Sequence, residues 1–112
     1  MKNITRDMTA IGADVSYTGV GFVPSHLLIV AKAPNWNWLS IGFANGPSGT
    51  CYFYNASTAV WASTSGVILV QSSAGQQQAA AAKSFDSDGY TLTWAKSSSP
   101  TGTLDATIFA FR

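Results

Sequence analysis

Residues 86–94 read Asp86-Ser87-Asp88-Gly89-Tyr90-Thr91-Leu92-Thr93-Trp94, a turn signal running straight into a strand. Gly89 takes positive φ without steric cost, and the aspartates before it favour tight turns. Beyond it Tyr90, Leu92 and Trp94 alternate with Thr91 and Thr93, which gives an extended chain one apolar and one hydroxylated face. That period of two fits a half-buried β-strand.

The same pattern extends in both directions. After a loop at Ser97–Gly102, Leu104, Ala106, Ile108 and Ala110 alternate with Asp105, Thr107, Phe109 and Phe111. Upstream, Leu27-Leu28-Ile29-Val30-Ala31 is a continuous apolar run suited to a central strand covered on both faces. From Trp38 to Phe43 the alternation puts Leu39, Ile41 and Phe43 on one face, read as core, and Trp38, Ser40 and Gly42 on the other. A turn at Asn45–Gly49 leads to Cys51–Tyr54, where Cys51 and Phe53 oppose Tyr52 and Tyr54. Ala13–Tyr17, Val60-Trp61 and Val67–Val70 supply further strand segments. Gln76–Lys83 has helix propensity in its Gln and Ala residues but is short and uncapped, and reads as extended or irregular.

About eight short strands separated by Gly, Pro, Asn, Asp and Ser predict an all-β domain. The expected architecture is a single antiparallel β-sandwich, jelly-roll-like, over residues 13–112, after an N-terminal arm of residues 1–12. Its predicted core comprises Leu28, Val30, Leu39, Ile41, Phe43, Phe53, Leu92, Trp94 and Ile108.

Composition bounds the function. Of 112 residues only 10% are charged, none is glutamate and 46% are hydrophobic, whereas a soluble domain averages about 25% charged. A surface so poor in charge is expected to be covered by neighbours. The net charge is +1 and the six basic residues are scattered, so nucleic acid is not an expected partner. No apolar run approaches the roughly 18 residues of a membrane span, and Met1–Met8 lacks a signal-type apolar stretch. Synthesis in a cytoplasm and no membrane partner are the expectations. The single Cys51 lies in an aromatic run and is read as packing.

Candidate chemistry is thin. His26 is the only histidine and has no Gly-flanked nucleophile beside it, so it reads as a strand-end residue with local hydrogen bonds. Asp7, Asp14, Asp86, Asp88 and Asp105 lie mostly in turns or near the N-terminus, where a carboxylate is solvated. Asp86-Ser87-Asp88-Gly89 opens like a calcium loop but lacks the closing Glu, and reads as a hairpin turn. Asn55-Ala56-Ser57 reads as a loop. No enzyme, cofactor or metal site is expected. Asn35-Trp36-Asn37-Trp38 leaves three readings open for Trp36 and Trp38: packing, a subunit interface, or a platform for a glycan. Tyr52 and Tyr54 extend either surface. Lys2, Arg6 and Asp7 in the arm are candidates for pairing with a protein surface.

Taken together, Gly21-Phe22-Val23-Pro24 before Leu27-Leu28-Ile29-Val30, Ser40-Ile41-Gly42-Phe43-Ala44-Asn45-Gly46, Ser84-Phe85-Asp86-Ser87-Asp88-Gly89-Tyr90-Thr91-Leu92-Thr93-Trp94 and Ala106-Thr107-Ile108-Phe109-Ala110-Phe111 resemble the small β-sandwich domains of tailed-bacteriophage virion proteins. The resemblance runs from about Val15 to Arg112, and its most specific part is the Phe-Asp-Ser-Asp-Gly-Tyr hairpin. It implies a virion component, since such domains occur in tail and head fibres and in capsid-associated proteins. With no stalk, collagen-like or coiled-coil segment before the domain, the expectation shifts to a capsid decoration, or cement, protein. Such a protein is made in the host cytoplasm, resides in the virion, binds the major capsid protein or another virion protein and stabilises the shell. The alternative is a receptor- or glycan-binding module of a tail or head fibre. A homo-oligomer is expected, a trimer favoured, because quasi-threefold junctions are natural docking points and closed oligomers dominate.

Overall fold

A computed structural model of the chain describes residues 1–33, 38–55, 60–63 and 65–112, with the backbone alone at 55 and 60–63. The described residues form ten strands: β1 Lys2–Asp7, β2 Asp14–Tyr17, β3 His26–Lys32, β4 Trp38–Ala44, β5 Gly49–Asn55, β6 Val60–Ser63, β7 Ile68–Ser73, β8 Gln76–Asp86, β9 Gly89–Ser97 and β10 Thr103–Phe111. Six build one antiparallel sheet, ordered β1-β10-β3-β4-β5-β6, and four build a second, ordered β2-β9-β8-β7. The two sheets pack around one core, so the architecture is the expected β-sandwich, with ten strands in place of about eight. Strands β3 to β6 and β7 to β9 are meanders, while β9 and β10 return to lie beside β2 and between β1 and β3.

The core follows the alternation where the other face is polar. Tyr90, Leu92 and Trp94 of β9 and Leu104, Ala106 and Ile108 of β10 are buried. The Gln-Ala segment is strand β8, because pairing on both sides with β7 and β9 overrides its weak helix propensity. Its buried Gln78 donates through Nε2 to the carbonyls of Met8 at 3.1 Å and Ala10 at 2.6 Å, fastening the segment that follows β1.

Three expectations are corrected. Residues 1–12 do not form a separate arm at their start: β1 pairs with β10 from Lys2↔Ile108 to Asp7↔Thr103, because Ile4 and Met8 are apolar groups with core to fill. In β3 the buried residues are Leu27, Ile29 and Ala31, while Leu28 and Val30 point outward and are half-buried. In β4 the faces are reversed, with Trp38, Ser40 and Ala44 buried and Gly42 between them on the same side, and with Leu39, Ile41 and Phe43 outside.

Close approach of β7 explains the reversal. A Cβ added to Gly42 would stand 1.8 Å from the Val67 carbonyl oxygen, so only a residue without a side chain fits there. Just before it in β4, Trp38 Nε1 donates to the Leu69 carbonyl at 2.7 Å, and the Leu69 amide donates to Ser40 Oγ at 3.2 Å. This seam needs small or hydrogen-bonding residues, which relegates the large aliphatic ones to the opposite face.

One end of the sandwich is tied by the hairpin turn between β8 and β9. Asp88 accepts hydrogen bonds from the amides of Gly19 at 3.0 Å and Gly21 at 2.6 Å, both glycines at φ 87°. The turn therefore holds the β2–β3 connection, and the Asp-x-Asp-Gly signal has a structural use.

Candidate functional site

The two outer faces of the sandwich differ. On the four-stranded sheet, Thr93 Oγ1 donates to Asp14 at 2.7 Å, and Lys83 makes an ion pair with the same carboxylate. Nearby Thr91 Oγ1 and Ser84 Oγ donate to Asp86 at 2.7 and 2.8 Å, and Ser16 shares a hydrogen bond with Thr91 at 2.8 Å. Lys83 and then Thr93 hold the Asp14 carboxyl below the usual carboxylate range, and Thr91 and then Ser84 do the same for Asp86. This is a hydrophilic face whose groups are satisfied within the chain.

The outer face of the six-stranded sheet is apolar at its centre. Register places its side chains in three cross-strand rows: Thr5, Asp105, Lys32, Leu39 and Tyr54; then Asn3, Thr107, Val30, Ile41 and Tyr52; then Phe109, Leu28, Phe43 and Thr50. Phe111 and His26 form a short fourth row. Leu39, Ile41, Phe43, Tyr52, Tyr54 and Phe111 are exposed by between 36% and 51%. Aromatic side chains offer roughly 150–250 Å² each, so these six residues present on the order of 500 Å² of contiguous apolar surface. Monomers rarely show a patch larger than a few hundred Å². Among the described residues no element of the chain lies over it.

Polar groups frame this surface. Lys32 and Asp105 face each other across the β3–β10 ladder at one end, and Asn3 accepts from Thr107 Oγ1 at 2.9 Å on the β1 side. At the other end Phe43 and Phe111 flank a groove of about 630 Å³, with His26, Asn45, Ser48 and Thr50 at its walls. His26 Nδ1 is 2.9 Å from Ser25 Oγ, the local hydrogen bond expected of a strand-end histidine.

The candidate residues are distributed as follows. Tyr52 and Tyr54 lie on the exposed face. Of the three readings open for Trp38, its position fits packing: it is 7% exposed, stacked on Phe53 with ring centroids 5.4 Å apart, and its indole N–H is used inside the sandwich. Trp36, and Ala56 and Ser57 of the Asn55-Ala56-Ser57 stretch, lie outside the described residues. Lys2 donates to the Thr18 carbonyl, Arg6 donates to the Ile11 carbonyl at 2.8 Å with its guanidinium 5.0 Å from the Trp94 ring centre, and Asp7 accepts from the Thr9 hydroxyl and amide. These three charges therefore serve contacts within the chain. Among the described residues no group of three or more His, Cys, Asp or Glu could hold a metal ion, and no helix is long and apolar enough to cross a membrane.

Sequence reading assigned Leu39, Ile41 and Phe43 to the core and so missed the face they build. The signal was present: strands β3, β4 and β5 carry apolar residues at both parities, which a sheet with one solvated face does not need. No protein-family model, curated protein or solved structure matches the chain.

Proposed function

We propose that the chain is a non-enzymatic structural protein of a phage virion, of the capsid-decoration type, which docks on the shell and reinforces it. The observation that supports this most is the apolar outer face of the six-stranded sheet in a chain only 10% charged. Covering such a face removes apolar surface from water, and adhesion is then the whole mechanism: each docked unit, whether one copy or copies already joined, adds buried area to a shell already closed, and mass action favours the docked, folded state. The resemblance to tailed-phage virion domains supplies the setting. Particles purified with and without the protein provide the test. Particles lacking it form but release their contents at lower temperature or milder osmotic stress; equal stability, or absence of the chain from particles, rejects the reading.

A glycan-binding module of a fibre is the second reading, favoured by the groove between Phe43 and Phe111, where aromatic rings lie beside amide and hydroxyl groups. Under it, Phe43→Ala abolishes glycan or host-cell binding and leaves particle stability unchanged.

A further inference from the structure

We propose that two copies of this chain pair face to face through the outer face of the six-stranded sheet, about a twofold axis running along the strands between β3 and β4. The proposal rests on the reading that this face is buried in an assembly, and it names what covers it.

Area is the first argument. The six exposed side chains contribute on the order of 500 Å², and the half-buried Leu28, Val30, Thr107 and Phe109 lie on the same face. Together they approach the ~800 Å² per partner of a standard stable interface. A broad sheet face also suits two copies better than three. Paired sheets stack with strands nearly aligned about 10 Å apart, and a twofold lets the same patch serve both partners. A trimer requires two different complementary surfaces on each copy, and the other broad face is the hydrophilic one.

The second argument is self-complementarity. Across the strands β10-β3-β4-β5 the row Thr107, Val30, Ile41 and Tyr52 runs polar, apolar, apolar, tyrosine. A twofold along the strands between β3 and β4 lays β3 on the partner's β4 and β10 on the partner's β5. Val30 then meets the partner's Ile41, and Leu28 meets the partner's Phe43. Asp105 lies opposite the partner's Tyr54 and Thr107 opposite the partner's Tyr52, so phenol hydroxyls meet a carboxylate and a hydroxyl, and each meeting occurs twice. Lys32 lays its aliphatic stem on the partner's Leu39 and keeps its ammonium at the rim.

Sedimentation equilibrium of the full chain tests this. The expected species is a dimer of 11.8 kDa chains. Ile41→Asp should weaken pairing at least about 30-fold, the scale of a hot-spot residue, while near-ultraviolet circular dichroism stays native. If that variant does not fold, Tyr54→Asp serves instead, at a position more exposed than Ile41 and opposite the partner's Asp105, where two carboxylates repel. Asp105→Ala and Tyr54→Phe should each weaken pairing several-fold, and the double variant should be no weaker than the worse single. A wild-type chain that stays monomeric to about 0.1 mM, above the micromolar range of standard interfaces, overturns the proposal. So do an Ile41→Asp dimer of native affinity and additive losses in the double variant. A monomer that still co-purifies with particles overturns the pairing and leaves the decoration reading standing; a dimer absent from particles does the reverse.

Discussion

Gly42 of β4 lies directly beneath the Val67 carbonyl, so close that a Cβ on the glycine would overlap the oxygen at 1.8 Å. The clash is with backbone, which cannot swing away as a side-chain tip does. Gly42→Ala is therefore expected to cost about 3 kcal/mol or more, the upper range for overpacking. Urea denaturation measures it; a cost below 1 kcal/mol would show that the two sheets separate easily at this seam.

Trp38 and Ile41 sit three residues apart on opposite faces, and their truncation should differ sharply. Trp38→Ala removes a buried ring stacked on Phe53 and leaves the Leu69 carbonyl without its indole donor, at a cost of roughly 3–5 kcal/mol. Ile41→Ala on the outer face should cost the single chain less than about 1 kcal/mol. Equal losses, measured at a concentration where the chain is monomeric, would contradict the assignment of faces.

Asp88 makes stability fall in acid. Hydrogen bonds from the Gly19 and then the Gly21 amide hold its carboxyl below the usual carboxylate range. A depressed folded-state pKa stabilises above the unfolded-state value and loses that contribution as pH falls through the folded one. The melting temperature should be level near neutrality and decline below about pH 4. Asp88→Asn should flatten that decline; an unchanged acid limb would mean that other carboxylates dominate.

Tyr90 acts at the other end of the scale. Burial, and then the neighbouring Tyr17, push its phenol up to about 12. A raised folded-state pKa stabilises fully below the unfolded value near 10 and is lost as pH climbs through the folded one. Stability should therefore drop between about pH 10 and 12, with Tyr90 ionising only as the chain unfolds. Tyr90→Phe should shift this limb upward, which phenolate absorbance during alkaline titration would detect.

Legibility in the sequence tracked the contrast between faces. In β9 the apolar Tyr90, Leu92 and Trp94 alternate with threonines, and the inner face was unambiguous. In β4 both rows are apolar enough to be core, and hydrophobicity favoured Leu39, Ile41 and Phe43 over Trp38, Ser40, Gly42 and Ala44. The choice was decided by backbone proximity at Val67, a long-range fact that period-two alternation does not encode. The contacts of Lys2, Arg6 and Asp7 within the chain were illegible for a related reason, since their partners at Thr18, Ile11 and Thr9 are carbonyls, an amide and a hydroxyl that carry no signature in sequence. The apolar face stayed hidden because its residues look like core.

The pairing of β1 with β10 sets a timetable for biosynthesis. Strand β1 waits for β10, far later in the chain, as does one side of β3, so the six-stranded sheet stays incomplete until Thr103–Phe111 has left the ribosome. Chains cut short by a premature stop would leave those edges open to other nascent chains, a route to inclusion bodies rather than to soluble protein. Emergence of β10 thus gates when a copy becomes competent to join anything else.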